Sequence, residues 1–107
     1  MKVLLHRLAH ARAGDKGDVS MISLIAYRAE DYDLLRRVVT PDRVAAHFAG
    51  LEVSRVERFE LPGLAAFNFV LHGALSGGVT RSLALDPHGK TLSSALLAMM
   101  IDLEEGP

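Results

Sequence analysis

The alternation of hydrophobic and polar positions predicts several short strands. Residues 2–9 and 19–27 place apolar side chains on both faces of an extended segment, which is typical of strands covered on both sides. Residues 53–61 mix apolar and charged positions and predict a more exposed strand, with a bulge where the phase slips. Residues 79–85 alternate again, and we interpret them as the last strand.

Helical periodicity appears in residues 30–50 and near the end of the chain. Residues 30–50 predict two helices, or one with a sharp kink, because Thr40 is a good N-cap and Pro41 suits the first position of a helix. Gly50 supplies a stop signal. From Thr91 the apolar positions predict an amphipathic helix that continues to Leu103.

One segment, residues 64–75, fits two kinds of structure. Leu64, Phe67 and Leu71 have the spacing of one helix face, whereas Phe67, Phe69 and Leu71 have the spacing of one strand face. We favour a short helix there. With that choice, the order of elements predicts an α+β domain that has a sheet of about four strands and helices packed on one face.

Composition limits the size and the class of the protein. With 107 residues the chain is expected to form a single domain, 1–107. Half of the residues are hydrophobic and 23% are charged, which excludes the composition of disordered chains, and no long apolar run predicts a membrane span. The first apolar run ends after three residues at His6, so we expect no secretory signal and a cytoplasmic location.

Charge and cysteine content exclude further classes. Twelve Lys and Arg residues against thirteen Asp and Glu give a net charge of -1, which argues against a nucleic-acid or anionic-membrane partner. Four Phe, two Tyr and no Trp also offer few rings for stacking on RNA bases. The absence of cysteine excludes disulfides and thiolate chemistry. The five histidines lack the spacing of a helical metal site, and we expect no metal and no cofactor.

The most distinctive local feature is the glycine-bracketed stretch Gly14, Asp15, Lys16, Gly17 and Asp18. Its glycines allow backbone N–H groups to converge on an anion, and Lys16 adds a positive charge. The stretch matches neither the phosphate-binding loop nor the calcium-binding loop. We interpret it as a loop that joins two interior strands, either a ligand-binding loop or a solvated turn.

Two further polar residues are candidates for ligand contacts. Asn68 lies among large apolar residues, where its amide must find partners or cost about 1–3 kcal/mol. Arg81 follows two glycines and carries a fork of donors suited to a carboxylate or phosphate. A backbone partner for Asn68 and an internal ion pair for Arg81 are the structural alternatives.

Several spaced motifs together resemble one known family. Residues 13–18, 44–50, 67–71, 77–83 and 89–92 are similar, in this order, to the AtuA-like ferredoxin-fold domain. That domain occurs at the C-terminus of acyclic terpene utilisation AtuA-type proteins or as a separate short protein. The resemblance covers nearly the whole chain and implies a ferredoxin-like two-layer sandwich. It also implies an association with bacterial degradation of terpenoid or branched acyl-CoA compounds, and it groups residues 14–18, Asn68 and Arg81 as candidates for one polar cleft.

Two functional hypotheses follow. The first is an accessory or interaction subunit that forms a homodimer or higher homo-oligomer, or that binds a larger AtuA-type protein, because the first strands are apolar on both faces while helices cover only one. The second is a small domain or enzyme that binds an acyl-CoA or a carboxylate. In it, Lys16 and Arg81 hold the anion, and Asp15 or Asp18 is the general acid or base.

Overall fold

The computed structural model describes residues 2–16, 19–49, 53–73 and 91–103. These residues form strands, helices and three 3-10 turns. The strands are β1 (Lys2–Leu4), β2 (Ala9–Lys16), β3 (Val19–Ala26), β4 (Arg55–Leu61), β5 (Ala66–His72) and β6 (Met100–Asp102). The helices are α1 (Tyr32–Val38), α2 (Pro41–His47) and α3 (Thr91–Leu97), and the 3-10 turns are Leu5–Arg7, Ala29–Asp31 and Pro62–Leu64.

The main sheet has four antiparallel strands in the order β2-β3-β5-β4, and β1 pairs with β6 in a separate two-stranded sheet. From β2 to α3 the described elements run strand, strand, helix pair, strand, strand, helix. This is the order of a β-α-β-β-α-β ferredoxin-like unit that starts at its second strand. The expected α+β architecture, with a sheet of four strands, is confirmed.

One face of the main sheet, which we call the covered face, packs against the helices. Successive strand residues point to opposite faces, so β3 and β5 each place every second side chain in this core. The sheet contributes the buried side chains of Ala9, Ile22, Leu24, Phe67, Phe69 and Leu71, and the helices contribute Leu35, Val38, Val44, Leu92 and Leu96.

The helix pair forms where the sequence predicts it. The Thr40 hydroxyl oxygen accepts a hydrogen bond of 3.2 Å from the backbone N–H of Arg43, and Pro41 is the first residue of α2. This cap satisfies a backbone donor that has no partner within the helix. The predicted stop at Gly50 lies outside the described residues.

Arg58 of β4 joins the sheet to the end of α1. Its guanidinium donates hydrogen bonds to the backbone oxygens of Arg36, at 2.7 Å, and Val39, at 3.0 Å. It also pairs with Glu60 at 3.0 Å and lies 5.4 Å from the centre of the Phe67 ring. Because carbonyls at a helix end lack partners within the helix, Arg58 supplies donors that α1 itself does not have.

Tyr32 stacks on the same Phe67 ring, with ring centres 4.7 Å apart and planes 2° apart. Its hydroxyl oxygen is buried and has no hydrogen-bond partner among the described residues. Burial of this hydroxyl raises the pKa of Tyr32, and the nearby Glu60 carboxylate adds to the effect. The ring therefore stabilises the core while its hydroxyl lacks a partner there.

The beginning of the chain differs from the prediction. Residues 2–9 are not one strand, because the Leu5–Arg7 turn separates β1 from β2. Strand β2 starts at Ala9 and includes Gly14, Asp15 and Lys16, which the sequence predicts to lie in a loop. Among the described strands, β2 lies at the edge of the sheet and not in its interior. The pairing of β2 with β3 continues to Lys16 opposite Val19, so backbone hydrogen bonding extends the strand through the glycine.

Residues 66–72 form the interior strand β5, so the short helix favoured for residues 64–75 is wrong. A strand forms here instead of a helix because β3 and β4 both pair with its backbone, and because Phe67, Phe69 and Leu71 are buried on the covered face. The pairing of β4 with β5 runs without interruption, so the predicted bulge is absent from these strands.

The last predicted helix is shorter than expected. Helix α3 ends at Leu97, and β6 follows it instead of further helix. Pairing with β1 overrides the helical spacing of the last apolar positions. The strand predicted for residues 79–85 lies outside the described residues.

Candidate functional site: the open face of the sheet

The second face of the main sheet, which we call the open face, is not covered by any described helix. Met21 is 48% exposed and Phe59 is 49% exposed, although both belong to strands of the sheet. By the strand register, the described side chains of this face come from His10 and Arg12 of β2, Val19, Met21, Ser23 and Ile25 of β3, Ala66, Asn68, Val70 and His72 of β5, and Arg55, Glu57, Phe59 and Leu61 of β4.

One row of the open face runs across all four strands. Arg12 pairs with Ser23, Ser23 with Asn68, and Asn68 with Phe59. The Ser23 hydroxyl donates a hydrogen bond of 2.8 Å to the Asn68 side-chain oxygen. The amide nitrogen of Asn68 is then available as a donor, and it makes no hydrogen bond within the described residues.

This row borders a concavity of about 400 Å³. Arg12, Ser23 and Asn68 form its polar side, whereas Ile25, Leu61, Leu64 and Ala66 form its apolar side. A volume of this size and a lining of apolar groups with a few converging polar ones are typical of small-molecule sites. The concavity is therefore a candidate ligand site on the open face of the described chain.

A charged cluster occupies another part of the same face. His72 Nε2 lies 2.7 Å from a carboxylate oxygen of Glu57, and the Arg55 guanidinium lies 3.3 Å from the same oxygen. The hydrogen bond from His72 lowers the pKa of the Glu57 carboxyl below its ordinary value, and Arg55 contributes further. Glu57 is thus held as an anion, which makes it a poor candidate for a general base near neutral pH.

The candidates predicted from sequence are only partly in the described chain. Three of them lie on β2 and pair with β3 in the strand register: Gly14 lies opposite Met21, Asp15 opposite Ser20, and Lys16 opposite Val19.

A Cβ atom added at Gly14 would meet nothing within 4 Å, so packing does not require glycine there. Gly17, Asp18 and Arg81 lie outside the described residues. Their grouping with Asn68 in one cleft therefore stays a prediction.

Sequence reasoning missed Arg12 and Ser23. The signal was the alternation of Ala9, Ala11 and Ala13, which assigns these alanines to the covered face and Arg12 to the other. This alternation is a weak signal, because alanine is only weakly hydrophobic and the strand predicted for residues 2–9 ends where β2 begins. Ser23 stands out only when Asn68 is known to lie opposite it.

No described helix is both long and apolar enough to cross a membrane. Among the described residues, no three His, Asp or Glu side chains gather into a group that could hold a metal ion.

A four-stranded antiparallel sheet with helices on one face defines the protein as an α+β sandwich of the ferredoxin-like class. The family model of the AtuA ferredoxin-like domain matches residues 3–102, and the chain belongs to this family. The family resemblance seen in the motifs is thereby confirmed. The searches of curated proteins and of solved structures found no match for the chain.

Proposed function

We propose that this protein is an interaction subunit that forms a homodimer through its open face. The observation that carries the proposal is the distribution of exposed apolar side chains. Of the seven large hydrophobic residues that are exposed in the described chain, four lie on or beside the open face: Met21, Tyr27, Phe59 and Leu64. Exposed apolar groups concentrated on one surface are typical of interaction sites.

The size of the open face suits a dimer of ordinary stability. Four strands about 4.8 Å apart, and seven residues long at about 3.4 Å per residue, give a flat footprint of roughly 450 Å². Side chains make the accessible area of such a surface larger than its footprint. Standard interfaces bury about 800 Å² on each partner. The open face is therefore large enough to supply most of such an interface.

Charge and symmetry favour a second copy as the occupant. A two-fold axis parallel to the strands would place β2 of one copy over β4 of the other. His10 and Arg12 on β2 would then face Leu61 and Phe59 on β4. Arg12 and Phe59 share one row, so the guanidinium can lie over the aromatic ring of the other copy. The net charge of -1 produces little repulsion between two copies.

The metabolic role that we propose rests on the family resemblance. The AtuA-like resemblance implies work in the degradation of terpenoid or branched acyl-CoA compounds, and it offers a larger AtuA-type protein as a different partner. A heteromeric complex would need the same exposed apolar side chains. We assign the open face to self-association, and the heteromer is an outcome that the experiment distinguishes.

The test is light scattering after size exclusion at micromolar concentration, comparing the parent protein with Met21→Lys. We expect the parent to have twice the mass of the 11.6 kDa chain. The new charge in the apolar interface should weaken association by about 100-fold, since an unpaired charge is costly to bury. Far-UV circular dichroism should show that Met21→Lys remains folded.

Met100→Lys is the matched control. Met100 lies on β6 and is 46% exposed, nearly as much as Met21, but it is not part of the open face. This variant should remain dimeric. A monomeric parent protein, or equal effects of the two substitutions, would contradict the proposal. A monomeric parent that binds a larger AtuA-type protein through Met21 would replace self-association by the heteromer.

A further inference from the structure

We propose that the concavity on the open face binds an aliphatic acid, with the carboxylate held by Arg12 and Asn68 and the hydrocarbon chain held by Ile25, Leu61, Leu64 and Ala66. This ligand site goes beyond self-association, but it shares Arg12 and Leu64 with the surface assigned to the dimer, so the acid and the second copy would compete for these residues. Two observations carry it. They are the free donors at one side of the concavity and the apolar residues at the other.

The polar side has donors without partners. Arg12 is exposed and makes no hydrogen bond or ion pair within the described part of the chain. Ser23 donates to the side-chain oxygen of Asn68, which fixes the amide so that its N–H groups remain available. Arg12 and Asn68 lie on either side of Ser23, about 10 Å apart between their Cα atoms at two strand spacings. A long arginine side chain can cross most of this distance, so one carboxylate can receive hydrogen bonds from both residues.

The charge of the lining selects a singly charged anion. Arg12 is the one charged residue among those that line the concavity, and the other polar groups are a neutral amide and a hydroxyl. One guanidinium balances one carboxylate, and its planar fork of N–H groups matches the two carboxylate oxygens. A neutral alcohol of the same length would leave the guanidinium without an anionic partner.

The apolar side fits a hydrocarbon chain. Leu64 projects from the Pro62–Leu64 turn and is 69% exposed, and the next residue, Ala65, has a left-handed backbone with φ of 51°. A cavity of about 150 Å³ holds a benzene ring, so the concavity of about 400 Å³ has room for a chain of roughly eight to ten carbons. Binding of such a chain would cover the exposed Leu64 side chain.

The experiment is a titration of the isotope-labelled protein with sodium decanoate, followed by amide chemical shifts. We expect the largest shifts at the residues that line the concavity. From hexanoate to decanoate, affinity should rise by about fourfold per methylene group, because each group buries additional apolar surface. Decan-1-ol should bind at least tenfold more weakly than decanoate.

Two substitutions test the polar contacts, and a third is the control. Arg12→Gln removes the positive charge and should weaken decanoate binding at least tenfold while leaving decan-1-ol binding unchanged. Asn68→Asp keeps the shape of the side chain but repels the ligand, and it should weaken binding by a similar factor. Arg37→Gln removes an exposed arginine from α1, away from the open face, and should leave the affinity unchanged.

The outcomes separate this proposal from self-association. No shift of the lining residues at about 1 mM decanoate would overturn it. Equal binding of decanoate and decan-1-ol, or no effect of Arg12→Gln, would also overturn it, because only apolar contact would remain. Light scattering on the same samples tests the dimer. A monomer with Arg12-dependent binding would contradict the dimer alone. If the parent protein is a dimer, the titration is repeated on the monomeric Met21→Lys variant, and no binding there would contradict the ligand site alone.

Discussion

The two faces of the main sheet are built from the same strands but have different surroundings. On β5, Phe67, Phe69 and Leu71 are fully buried beneath the helices, whereas the alternate residues Asn68 and Val70 belong to the open face. The covered face stabilises the fold, and the open face leaves donors and apolar side chains accessible. Because neighbouring residues in a strand point in opposite directions, substitutions one position apart should affect either stability or recognition.

The largest expected difference between the faces concerns two phenylalanines. Phe69 is fully buried, so Phe69→Ala should lower the free energy of unfolding by about 3–5 kcal/mol. Phe59 is 49% exposed, so Phe59→Ala should lower it by about 0.5 kcal/mol or less at protein concentrations where the chain is monomeric. Urea unfolding followed by circular dichroism measures both values. Equal losses of unfolding free energy in the two variants would contradict the conclusion that the covered face contributes more to stability than the open face.

The second comparison uses two arginines on β4. Arg58 donates to two backbone oxygens and its side chain is 13% exposed, so Arg58→Ala should cost about 2 kcal/mol. Arg58→Lys should recover less than half of this loss, because an ammonium group does not reproduce the guanidinium fork. Arg55 is 65% exposed on the open face, and Arg55→Ala should change stability by less than about 0.5 kcal/mol. A similar cost for both alanine variants in urea would contradict the assignment of Arg58 to the end of α1.

The third comparison uses the two tyrosines, and here a substitution is expected to raise the free energy of unfolding instead of lowering it. Tyr32→Phe keeps the ring on Phe67 but removes a buried hydroxyl that lacks a partner among the described residues. It should raise the free energy of unfolding by about 1 kcal/mol. Tyr27 is 61% exposed and stacks on His10, so Tyr27→Phe should be neutral within about 0.5 kcal/mol. A destabilised Tyr32→Phe variant in thermal unfolding would show that the hydroxyl has a partner.

The smallest expected effect is a pH dependence that arises on the open face. Hydrogen bonding from His72 places the pKa of Glu57 in the folded protein below its ordinary value of 4.5. The resulting stability is present above pH 4.5 and is lost as pH falls through the lower pKa of the folded state. The melting temperature of the parent should therefore exceed that of Glu57→Gln at neutral pH, and the gap should close in acid. The difference in melting temperature between the parent and His72→Gln should also become smaller in acid. A difference that became larger in acid would contradict the role of His72.

Sequence patterns predicted the elements whose local signals agree with their surroundings. The cap formed by Thr40, the strand at residues 55–61 and the start of α3 all appear in the structure. The motifs also led to the correct family. Residues 66–72 were assigned incorrectly because their spacing suits both a helix and a strand, and only pairing with two neighbouring strands decides between them.

The candidate site was harder to predict than the fold. Asn68 stands out in the sequence as a polar residue in an apolar run, and it does belong to the concavity. Arg12 and Ser23 carry no such local signal, and they meet Asn68 only through the registers of two strand pairs. A contact between residues that are far apart in sequence depends on register, which a single sequence specifies poorly when both faces of a strand carry apolar groups.

The pairing of β1 with β6 has a topological consequence. Lys2 lies opposite Asp102, so two strands that are far apart in sequence are neighbours in space. A short linker between residues 2 and 102 would close this segment into a ring, which could then be opened in an exposed connection elsewhere. The packing of the sheet against its helices does not depend on where such a ring is opened. Residues that are neighbours in space in this fold therefore need not be close together in the order in which the chain is synthesised.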